Sequence, residues 1–338
     1  PSHLRFFKQK AAGKAVQADV TPCLELFMNN IICIAGPTAS GKTALAATLA
    51  KELNGEVVSC DSMQVYKRMD IGTAKPTLEE MQGIPHHMID VAEPWEDFSV
   101  SRYCDMAAPI VDDILSRGKT AVIAGGTGLY MDSLIRGNAF APFPATGVRE
   151  RLEAQADTVG MEVMLSQLRS VDPDAAGRLH LSDRKRILRA LEVYLETGET
   201  ITEHNRKTQA VPPRYSPIWL GLDFAQRGEL YRRIDLRVGL MLQQGLVEEI
   251  QGLLADGIPE KATAMQAIGY KEFVDALDGR CTIEEAADLV RQSSRRYAKR
   301  QLTWFRRNKA IHWLIREAGN TGREILENAR RIVSDFDN

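Results

Sequence analysis

Residues 31–43 read IICIAGPTASGKT, a short apolar run that ends directly at a glycine-rich turn. The turn, Gly36 to Thr43, matches the pattern G-x-x-x-x-G-K-S/T in full. The apolar run predicts a buried parallel strand, and residues 42–53 predict a helix that Asn54-Gly55 ends. The motif requires this context, because backbone N–H groups of the loop and of the helix N-terminus then point at one anion. The sequence therefore predicts a phosphate-binding loop.

Every residue of this loop is a candidate contact to a diphosphate: Gly36, Pro37, Thr38, Ala39, Ser40, Gly41, Lys42 and Thr43. Among them, Lys42 adds a positive point charge, and the hydroxyl of Thr43 is the expected ligand of a Mg²⁺ ion. The motif indicates that a diphosphate binds, but it does not say which one. The alternative is a glycine-rich turn that binds nothing; the correct residue at every constrained position argues against it.

Further strands and helices alternate along the chain on both sides of a purely helical stretch. Strands are predicted at residues 56–60, 87–91, 120–124 and 218–222. Helices are predicted at residues 99–116, 226–243, 246–255 and 283–307. Such alternation indicates βαβ units and a parallel sheet covered on both faces. We therefore expect an α/β fold with a P-loop NTPase-like core.

The chain is expected to divide into a core and an insertion. Only helical periodicity appears from Gly147 to about Gly198, and a Pro-rich stretch ends at Pro212-Pro213. We interpret residues 144–211 as an all-helical insertion, with residues 28–143 and 212–338 as the core and its mostly helical C-terminal region. Residues 1–27 have no clear period and precede Met28, which predicts a leader or an added extension.

Composition narrows the class of protein. The net charge is −2, apolar residues make up 44% and no run of 18 or more apolar residues occurs, so a transmembrane helix is not expected. The five cysteines are odd in number and include no C-x-x-C pair, which argues against a disulfide framework or a zinc site. A reducing, cytoplasmic location fits this usage. The adjacent His86 and His87 would face opposite sides of a strand, which argues against a metal site there.

Two polar segments directly follow predicted strands of the sheet. Asp61 follows the strand at 56–60, and Thr127 follows the strand at 120–124. The carboxyl ends of parallel strands converge on the ligand crevice, so Asp61 is a candidate general base. An Asx turn that only shapes the loop is the alternative for Asp61. Thr127 is a candidate donor to a phosphate or substrate oxygen, with a helix cap as its alternative.

Two basic clusters suggest a nucleic-acid partner. Arg291 to Lys309 contains eight basic residues and no acidic one, interleaved with Tyr297, Trp304 and Phe305. A second cluster spans residues 183–189 in the predicted insertion. Basic helices with aromatic side chains are typical of phosphate contacts combined with base stacking. The alternative is a pair of solvated helix faces with the aromatic side chains in the core.

Seven segments together resemble the tRNA dimethylallyltransferases, also called tRNA isopentenyltransferases. They are GPTASGKT at 36–43, DSMQVY at 61–66, IGTAKP at 71–76, PHHMID at 85–90, AGGTGLY at 124–130, AIGYKE at 267–272 and KRQLTWFR at 299–306. The resemblance implies that a dimethylallyl group passes from dimethylallyl diphosphate to N6 of the adenine 3′-adjacent to the anticodon, position 37, of tRNA. It further implies Mg²⁺ as the cofactor, the anticodon stem-loop of tRNA as the partner, and a cytoplasmic monomer without a membrane contact.

The resemblance also implies roles for individual residues. Lys42, Asp61 and Thr127 would act in catalysis, with Asp61 as the general base, and Arg233 and Arg237 would join the P-loop on the diphosphate. Contacts to tRNA are implied for Asp61, Ser62, Met63, Gln64, Thr127, Arg149, Lys185, Arg186, Ile187, Leu188, Arg189, Gln266, Ala267, Ile268, Gly269, Tyr270, Lys271, Lys299, Arg300, Gln301, Leu302, Thr303, Trp304, Phe305 and Arg306. Thr127 and Arg149 would touch the tRNA at the reaction centre.

Two functions from other classes compete with this interpretation. An ATP-dependent small-molecule kinase would also have a P-loop core and would use Asp61 to activate an acceptor hydroxyl. It offers no reason for two basic clusters far apart in the sequence. An RNA-binding module with an inactive P-loop is the other alternative, and the intact Lys42, Thr43 and Asp61 argue against it.

Overall fold

Six parallel strands form one sheet in the computed structural model, which describes residues 30–138, 146–317 and 322–337. The strands are β1 (Ile31–Ala35), β2 (Glu56–Ser59), β3 (His86–His87), β4 (Ala121–Gly125), β5 (Ile218–Phe224) and β6 (His312–Arg316). Their order across the sheet is β3-β2-β4-β1-β5-β6, and every pairing is parallel. The predicted leader and the predicted start of the insertion at residue 144 lie outside the described residues.

Helices connect these strands and cover the sheet. They are α1 (Lys42–Glu52), α2 (Val100–Ser116), α3 (Gly128–Arg136), α4 (Val148–Val159), α5 (Met161–Val171), α6 (Pro173–Arg178), α7 (Arg184–Thr197), α8 (Ile201–Ala210), α9 (Arg227–Gln243), α10 (Leu246–Ala255), α11 (Lys271–Leu277), α12 (Ile283–Phe305) and α13 (Gly322–Asp337). The predicted α/β class with a P-loop-like core is therefore confirmed.

The central strand β1 shows why its sequence is apolar at every position. Its side chains alternate between two cores, because successive residues of a strand point to opposite faces of the sheet. Cys33 and Ala35 pack in the larger core with residues of α2, α3 and α10. Ile32 and Ile34 pack in a second core with residues of α1 and α13. Since both faces are covered, β1 has no position for a polar side chain.

The structure differs from the sequence-based prediction at the two edges of the sheet. The strand predicted at 87–91 is only the two-residue β3. At the other edge, β6 was missed within a region predicted to be mostly helical. Only Leu314 of β6 is buried, so this edge strand lacks the continuous apolar run that marks a central strand. Its pairing with β5 is what makes it a strand.

Every described element from α4 to α8 is a helix, as predicted for this stretch. These helices share an apolar core of their own, which includes Leu152, Met164, Leu168 and Ile187. The exact limits 144–211 and the contact of this stretch with tRNA remain predictions. Across the described part of the chain, every helix is too short or too polar to cross a membrane.

Candidate active site

The phosphate loop turns tightly between β1 and α1. Gly41 immediately precedes α1 with a φ of 93°, a left-handed conformation that glycine adopts without strain. Gly36 lies against β5, where a Cβ atom would come within 2.9 Å of the carbonyl oxygen of Leu222. The hydroxyl of Ser40 is buried and has no hydrogen-bond partner among the described residues. The two glycines thus serve the loop geometry that anion binding requires.

The side chain of Lys42 folds back onto its own loop. Its Nζ donates a hydrogen bond to the carbonyl oxygen of Pro37 at 2.7 Å. Burial lowers the pKa of Lys42 to about 8, Asp61 opposes this shift, and Arg237 lowers the pKa further. The ammonium group is therefore held where a bound anion would replace the lost solvation.

Asp61 and Lys42 line the same small cavity of about 90 Å³. Thr43, Arg237 and Tyr297 also line it. The carboxylate and the ammonium group therefore lie on the same side of the sheet, at the carboxyl ends of β1 and β2. This is the arrangement that the general-base role requires.

One oxygen of the Asp61 carboxylate accepts a hydrogen bond within its own loop. Oδ1 accepts a hydrogen bond from the backbone N–H of Met63 at 2.9 Å, the bond of an Asx turn. The Asx turn and the cavity-lining position therefore coexist. Because the turn fixes the carboxylate, it also fixes the direction in which Oδ2 can accept a proton.

Thr127 joins the loop after β4 to the loop that carries Asp61. Its Oγ1 accepts a hydrogen bond from the backbone N–H of Ser62 at 3.0 Å. Its own N–H donates to the carbonyl oxygen of Cys60 at 3.2 Å. Although Thr127 precedes α3, its side chain makes no capping bond there. Thr127 therefore stands at the N-cap position of α3, while its hydroxyl holds the Asp61 loop.

Two arginines of α9 reach the phosphate loop, as the resemblance implied. Arg237 Nη1 donates to Thr38 Oγ1 at 3.3 Å. Arg233 Nε donates to the carbonyl oxygen of Ala39 at 3.0 Å. Both guanidinium groups therefore lie where they can compensate negative charge in the loop.

A third arginine beside the loop, Arg316, was missed by the sequence analysis. It ends β6, and its Nη2 would be 3.5 Å from a Cβ atom placed on Gly41. Its guanidinium carbon lies 5.9 Å from the centre of the Phe224 ring. Burial lowers the pKa of Arg316 from its usual value, and Arg233 lowers it further. Arg316 could not be assigned to the site without β6.

Gln301 connects α12 to the phosphate loop. Its Oε1 accepts from the backbone N–H of Thr38 at 2.9 Å, and its Nε2 donates to the carbonyl oxygen of Gly126 at 3.0 Å. The Gln301 side chain is buried and joins two loops of the site, whereas its implied contact with tRNA stays a prediction. A sequence signal existed: Gln301 is a polar residue on the same buried face as Ala298 and Phe305.

Tyr297 is a second residue of α12 that the sequence analysis did not place in the site. It lines the small cavity and also a larger one of about 290 Å³ beside it. Burial and, after it, the charge of Asp61 raise the pKa of Tyr297 to about 12. The phenol therefore remains a hydrogen-bond donor at neutral pH.

The larger cavity lies between α9, α12 and two loops. It shares Thr38, Asp61, Thr73, Arg237 and Tyr297 with the small cavity, so the two are neighbours with Asp61 at the junction. Several implied tRNA contacts line it: Ser62, Met63, Gln266, Ala267, Ile268, Gly269 and Arg300. Gln64 lines the small cavity instead.

Besides Gln301, six implied tRNA contacts have buried side chains. They are Ile187, Leu188, Ala267, Tyr270, Leu302 and Phe305. Each of these side chains packs in a core of the folded protein, and the contact of their segments with tRNA stays a prediction. A basic helix still needs an apolar face that packs against the rest of the protein, and those of these residues that lie in α7 and α12 form that face.

Arg149 also lies elsewhere than expected. It is in α4, where its guanidinium lies 3.3 Å from Glu192 and 3.2 Å from Glu153. It lines a groove on the helical segment together with Lys185, Arg186 and Arg189. It lines neither of the two cavities, and its contact with tRNA at the reaction centre stays a prediction.

The basic end of α12 has one exposed face. Lys299, Arg300, Thr303 and Trp304 line a shallow groove there with Arg307. The Trp304 ring lies under the Arg307 guanidinium, 3.9 Å from ring centre to carbon, and its Nε1 donates to Asp132 at 2.8 Å.

Two other implied tRNA contacts have acidic neighbours. Arg306 pairs with the buried Asp223 at 2.8 Å, which gives this arginine a structural role. Lys271 begins α11, and its Nζ lies 3.9 Å from the carboxylate of Glu272.

Comparison with known proteins assigns the family. A family model described as IPP transferase matches residues 64–308. This chain belongs to the IPP transferase family. The matched range of this IPP transferase family member starts at Gln64, just after Asp61, and ends after α12, so it includes many residues of the larger cavity but not the phosphate loop.

Relatives and solved structures agree with this assignment. The chain is 47% identical over 300 residues to the tRNA dimethylallyltransferase of Caldanaerobacter subterraneus subsp. tengcongensis, covering 88% of this chain and 95% of the relative. It is 43% identical over 310 residues to that of Acetivibrio thermocellus, covering 91% and 99%. The tRNA isopentenylpyrophosphate transferase of Bacillus halodurans superposes with a TM-score of 0.69 at 41% identity, covering 91% and 97%. A eukaryotic dimethylallyltransferase acting on tRNA superposes with a TM-score of 0.76 at 29% identity, covering 90% and 79%.

Proposed function

We propose that this protein transfers the dimethylallyl group of dimethylallyl diphosphate to N6 of adenine 37 in the anticodon loop of tRNA. The products are N6-isopentenyladenosine and diphosphate. The single observation that supports this most strongly is the position of Asp61, at the junction of the phosphate-loop cavity and the larger cavity. The names of the relatives support the same reaction.

The smaller cavity suits the diphosphate of the donor. Lys42, Arg237 and the loop N–H groups supply positive charge and hydrogen-bond donors around it. The C–O bond to the diphosphate breaks as the allylic carbon develops positive charge, and the leaving oxygens gain negative charge. Fixed donors in a cavity stabilise that charge without reorganisation.

The larger cavity suits the purine that receives the allyl group. Met63, Val238 and Met241 give it apolar walls that a flat base can contact. An adenine in an RNA loop must leave its stack to enter such a cavity, which is a base-flipping step. N6 is a poor nucleophile, because its lone pair is delocalised into the ring. Asp61 accepts the N6 proton as the new C–N bond forms.

A Mg²⁺ ion fits this site as a partner of the diphosphate. Thr43 lines the small cavity, so its hydroxyl is the protein ligand that the phosphate-loop motif predicts. Within residues 30–138, 146–317 and 322–337, no cluster of three or more His, Cys, Asp or Glu forms a ready-made metal site. This suits an ion that keeps several waters and binds mainly to substrate phosphates. When bound, the ion neutralises charge on the leaving diphosphate.

The surface for the anticodon stem-loop is the exposed face of α12. Lys299 and Arg300 are exposed there, beside the larger cavity that Arg300 also lines. The groove with Arg149 and Lys185 on the helical segment is a second basic surface for the RNA backbone. We further propose that the protein acts as a monomer in the cytoplasm, where its tRNA substrate is available.

One assay distinguishes this function from its rivals. Purified protein is incubated with unmodified tRNA, Mg²⁺ and dimethylallyl diphosphate carrying a label in the allyl group. Label in the tRNA supports the proposal, and its position in the anticodon loop is read by nuclease digestion and mass spectrometry. Hydrolysis of ATP without label transfer would support the kinase. Binding of tRNA with neither reaction would support the RNA-binding module.

A further inference from the structure

Glu249 of α10 accepts hydrogen bonds from two separate segments of the chain. Oε2 accepts from the backbone N–H groups of Asp70 and Ile71, both at 2.8 Å. Oε1 accepts from the N–H of Gly72 at 3.2 Å and from the phenol of Tyr270 at 2.6 Å. Within the described part of the chain, no Lys, Arg or His side chain pairs with this carboxylate. Glu249 therefore interacts with dipoles of the protein and not with a cation.

The two segments that Glu249 joins lead into two adjoining parts of the larger cavity wall. Gly72 begins one lining stretch, residues 72–74, and Tyr270 follows the other, residues 266–269. The Tyr270 ring is fully buried against Gly72, where a Cβ atom would come within 2.4 Å of Cε2. A glycine at residue 72 thus lets the ring approach, and Glu249 bonds to both partners of that contact.

The stretch held by Glu249 in turn holds Gln64. Gln64 Nε2 donates to the carbonyl oxygen of Thr73 at 3.4 Å and to that of Ala74 at 3.1 Å. Its Oε1 accepts from the hydroxyl of Ser59 at 3.0 Å. Ser59 ends β2, two residues before Asp61. Hydrogen bonds at the two ends of residues 70–74 therefore connect Glu249, through this short stretch of backbone, to the loop of the general base.

We propose that Glu249 is a positioning residue for the acceptor adenine, which sets the width of the larger cavity by joining residues 70–72 to Tyr270. This inference rests on the proposed function, since it concerns the cavity that we assign to the purine. A carboxylate suits the task because it has two acceptor oxygens and no donor. A displacement of about 1 Å in such a wall can cost about 100-fold in rate.

Glu249→Gln tests this inference with little change in shape. The amide of Gln keeps one acceptor oxygen. Its NH₂ group replaces the other oxygen and would face N–H or O–H donors that this oxygen accepts from in the native protein. We expect kcat/KM for tRNA to fall about 10- to 100-fold, whereas KM for dimethylallyl diphosphate changes less than about twofold, because the hydrogen bonds of Glu249 go to residues 70–72 and Tyr270 and not to the phosphate loop. Glu248→Gln is the matched control, with the same loss of charge on an exposed neighbour, and should behave as wild type.

Tyr270→Phe separates positioning from simple loss of folding. The ring stays packed on Gly72, and only the phenol donor to Glu249 is removed. We expect a smaller loss in kcat/KM for tRNA than in Glu249→Gln. The double variant should lose less than the product of the two single effects, since both remove the same hydrogen bond. Melting temperatures of all variants show that the proteins compared are folded.

The outcomes separate this inference from the proposed function. A wild-type protein that transfers no label overturns both. If the wild type is active, wild-type kinetics in Glu249→Gln overturn the inference alone. An equal loss for tRNA and for dimethylallyl diphosphate also overturns it, because that pattern indicates general damage. If Glu249→Gln does not fold, unchanged tRNA kinetics in a folded Tyr270→Phe overturn it.

Discussion

The side chain of Gln301 accepts a hydrogen bond from the backbone N–H of Thr38, at 2.9 Å, and so joins the long basic helix to the phosphate loop. The same side chain donates to the carbonyl oxygen of Gly126 at 3.0 Å. Three segments far apart in the sequence therefore meet at one buried amide. The exposed face of α12 carries Lys299 and Arg300, two residues and one residue before Gln301.

Gln301→Leu should disturb the phosphate loop more than the tRNA surface. The change leaves the Thr38 N–H and the Gly126 carbonyl without their partner, at a cost of about 1–3 kcal/mol of unfolding free energy for each unsatisfied buried group. We expect KM for dimethylallyl diphosphate to rise about tenfold or more. Steady-state kinetics and chemical denaturation measure both effects. Gln292→Leu, on an exposed turn of the same helix, is the control, and equal behaviour of the two variants would contradict the prediction.

Asp61→Asn should remove the base and keep the loop. The amide oxygen can still accept the hydrogen bond from Met63 that Oδ1 accepts in the native protein. We expect kcat to fall about 10²- to 10⁴-fold, the usual contribution of a general base. The dissociation constant for tRNA should change little, because the charge removed is not a phosphate contact. Single-turnover transfer and filter binding measure these quantities; Asp105→Asn on the exposed face of α2 is the control. Full activity in Asp61→Asn would exclude Asp61 as the base.

Donor binding should weaken as the pH rises through about 8. Burial lowers the pKa of Lys42 to about 8 in the free protein. The protonated form binds the diphosphate, so above this pH the free protein must take up a proton to bind. KM for dimethylallyl diphosphate should then rise by up to about tenfold per pH unit. Kinetics between pH 7 and 9.5 at saturating tRNA measure the effect. Lys42→Arg keeps the charge over this range and should remove the pH dependence; a flat wild-type profile would refute the prediction.

Lys299→Ala with Arg300→Ala should weaken tRNA binding in a salt-dependent way. Both side chains are exposed, and each is expected to contact one phosphate. The slope of log affinity against log salt should decrease by about 1 for each contact removed. Arg306 is a poor choice for this test, because its loss leaves the buried Asp223 unpaired. The control is Arg323→Ala with Arg331→Ala on α13, and an unchanged slope in the test variant would count against α12 as the RNA surface.

Glu56→Gln should destabilise the fold without changing the active site. The Arg117 guanidinium, with Lys119 and His87, holds the pKa of the buried Glu56 carboxyl well below its usual range. A depressed folded-state pKa stabilises the protein above the unfolded pKa of about 4.3, and this contribution is lost as the pH falls further.

We expect Glu56→Gln to lower the free energy of unfolding by about 1–3 kcal/mol at pH 7. The difference in unfolding free energy between wild type and Glu56→Gln should become smaller as the pH falls below about 4.3. Urea denaturation at several pH values measures this. Exposed Glu79→Gln serves as the control, and a gap independent of pH would contradict the assigned cause.

The local sequence was enough to predict the phosphate loop and the position of Asp61. The run 31–43 specifies a strand, a turn and a helix in direct succession, and each is set by neighbours in the chain. Asp61 follows β2 and the phosphate loop follows β1, and the parallel strands of one sheet have their carboxyl ends at the same edge. The apolar patterns of α2 and α10 likewise gave helices with nearly the observed limits.

Tertiary structure alone decided which side chains face the site. β6 is a strand because β5 offers it an edge, and only this pairing brings Arg316 beside Gly41. Gln301 and Glu249 act on segments distant in sequence, so no local pattern reveals their partners. A basic segment such as 299–306 shows charge but not orientation, and burial turns Leu302 and Phe305 inward. Local sequence fixes the chemistry that a segment carries, whereas long-range packing fixes the direction in which that chemistry points.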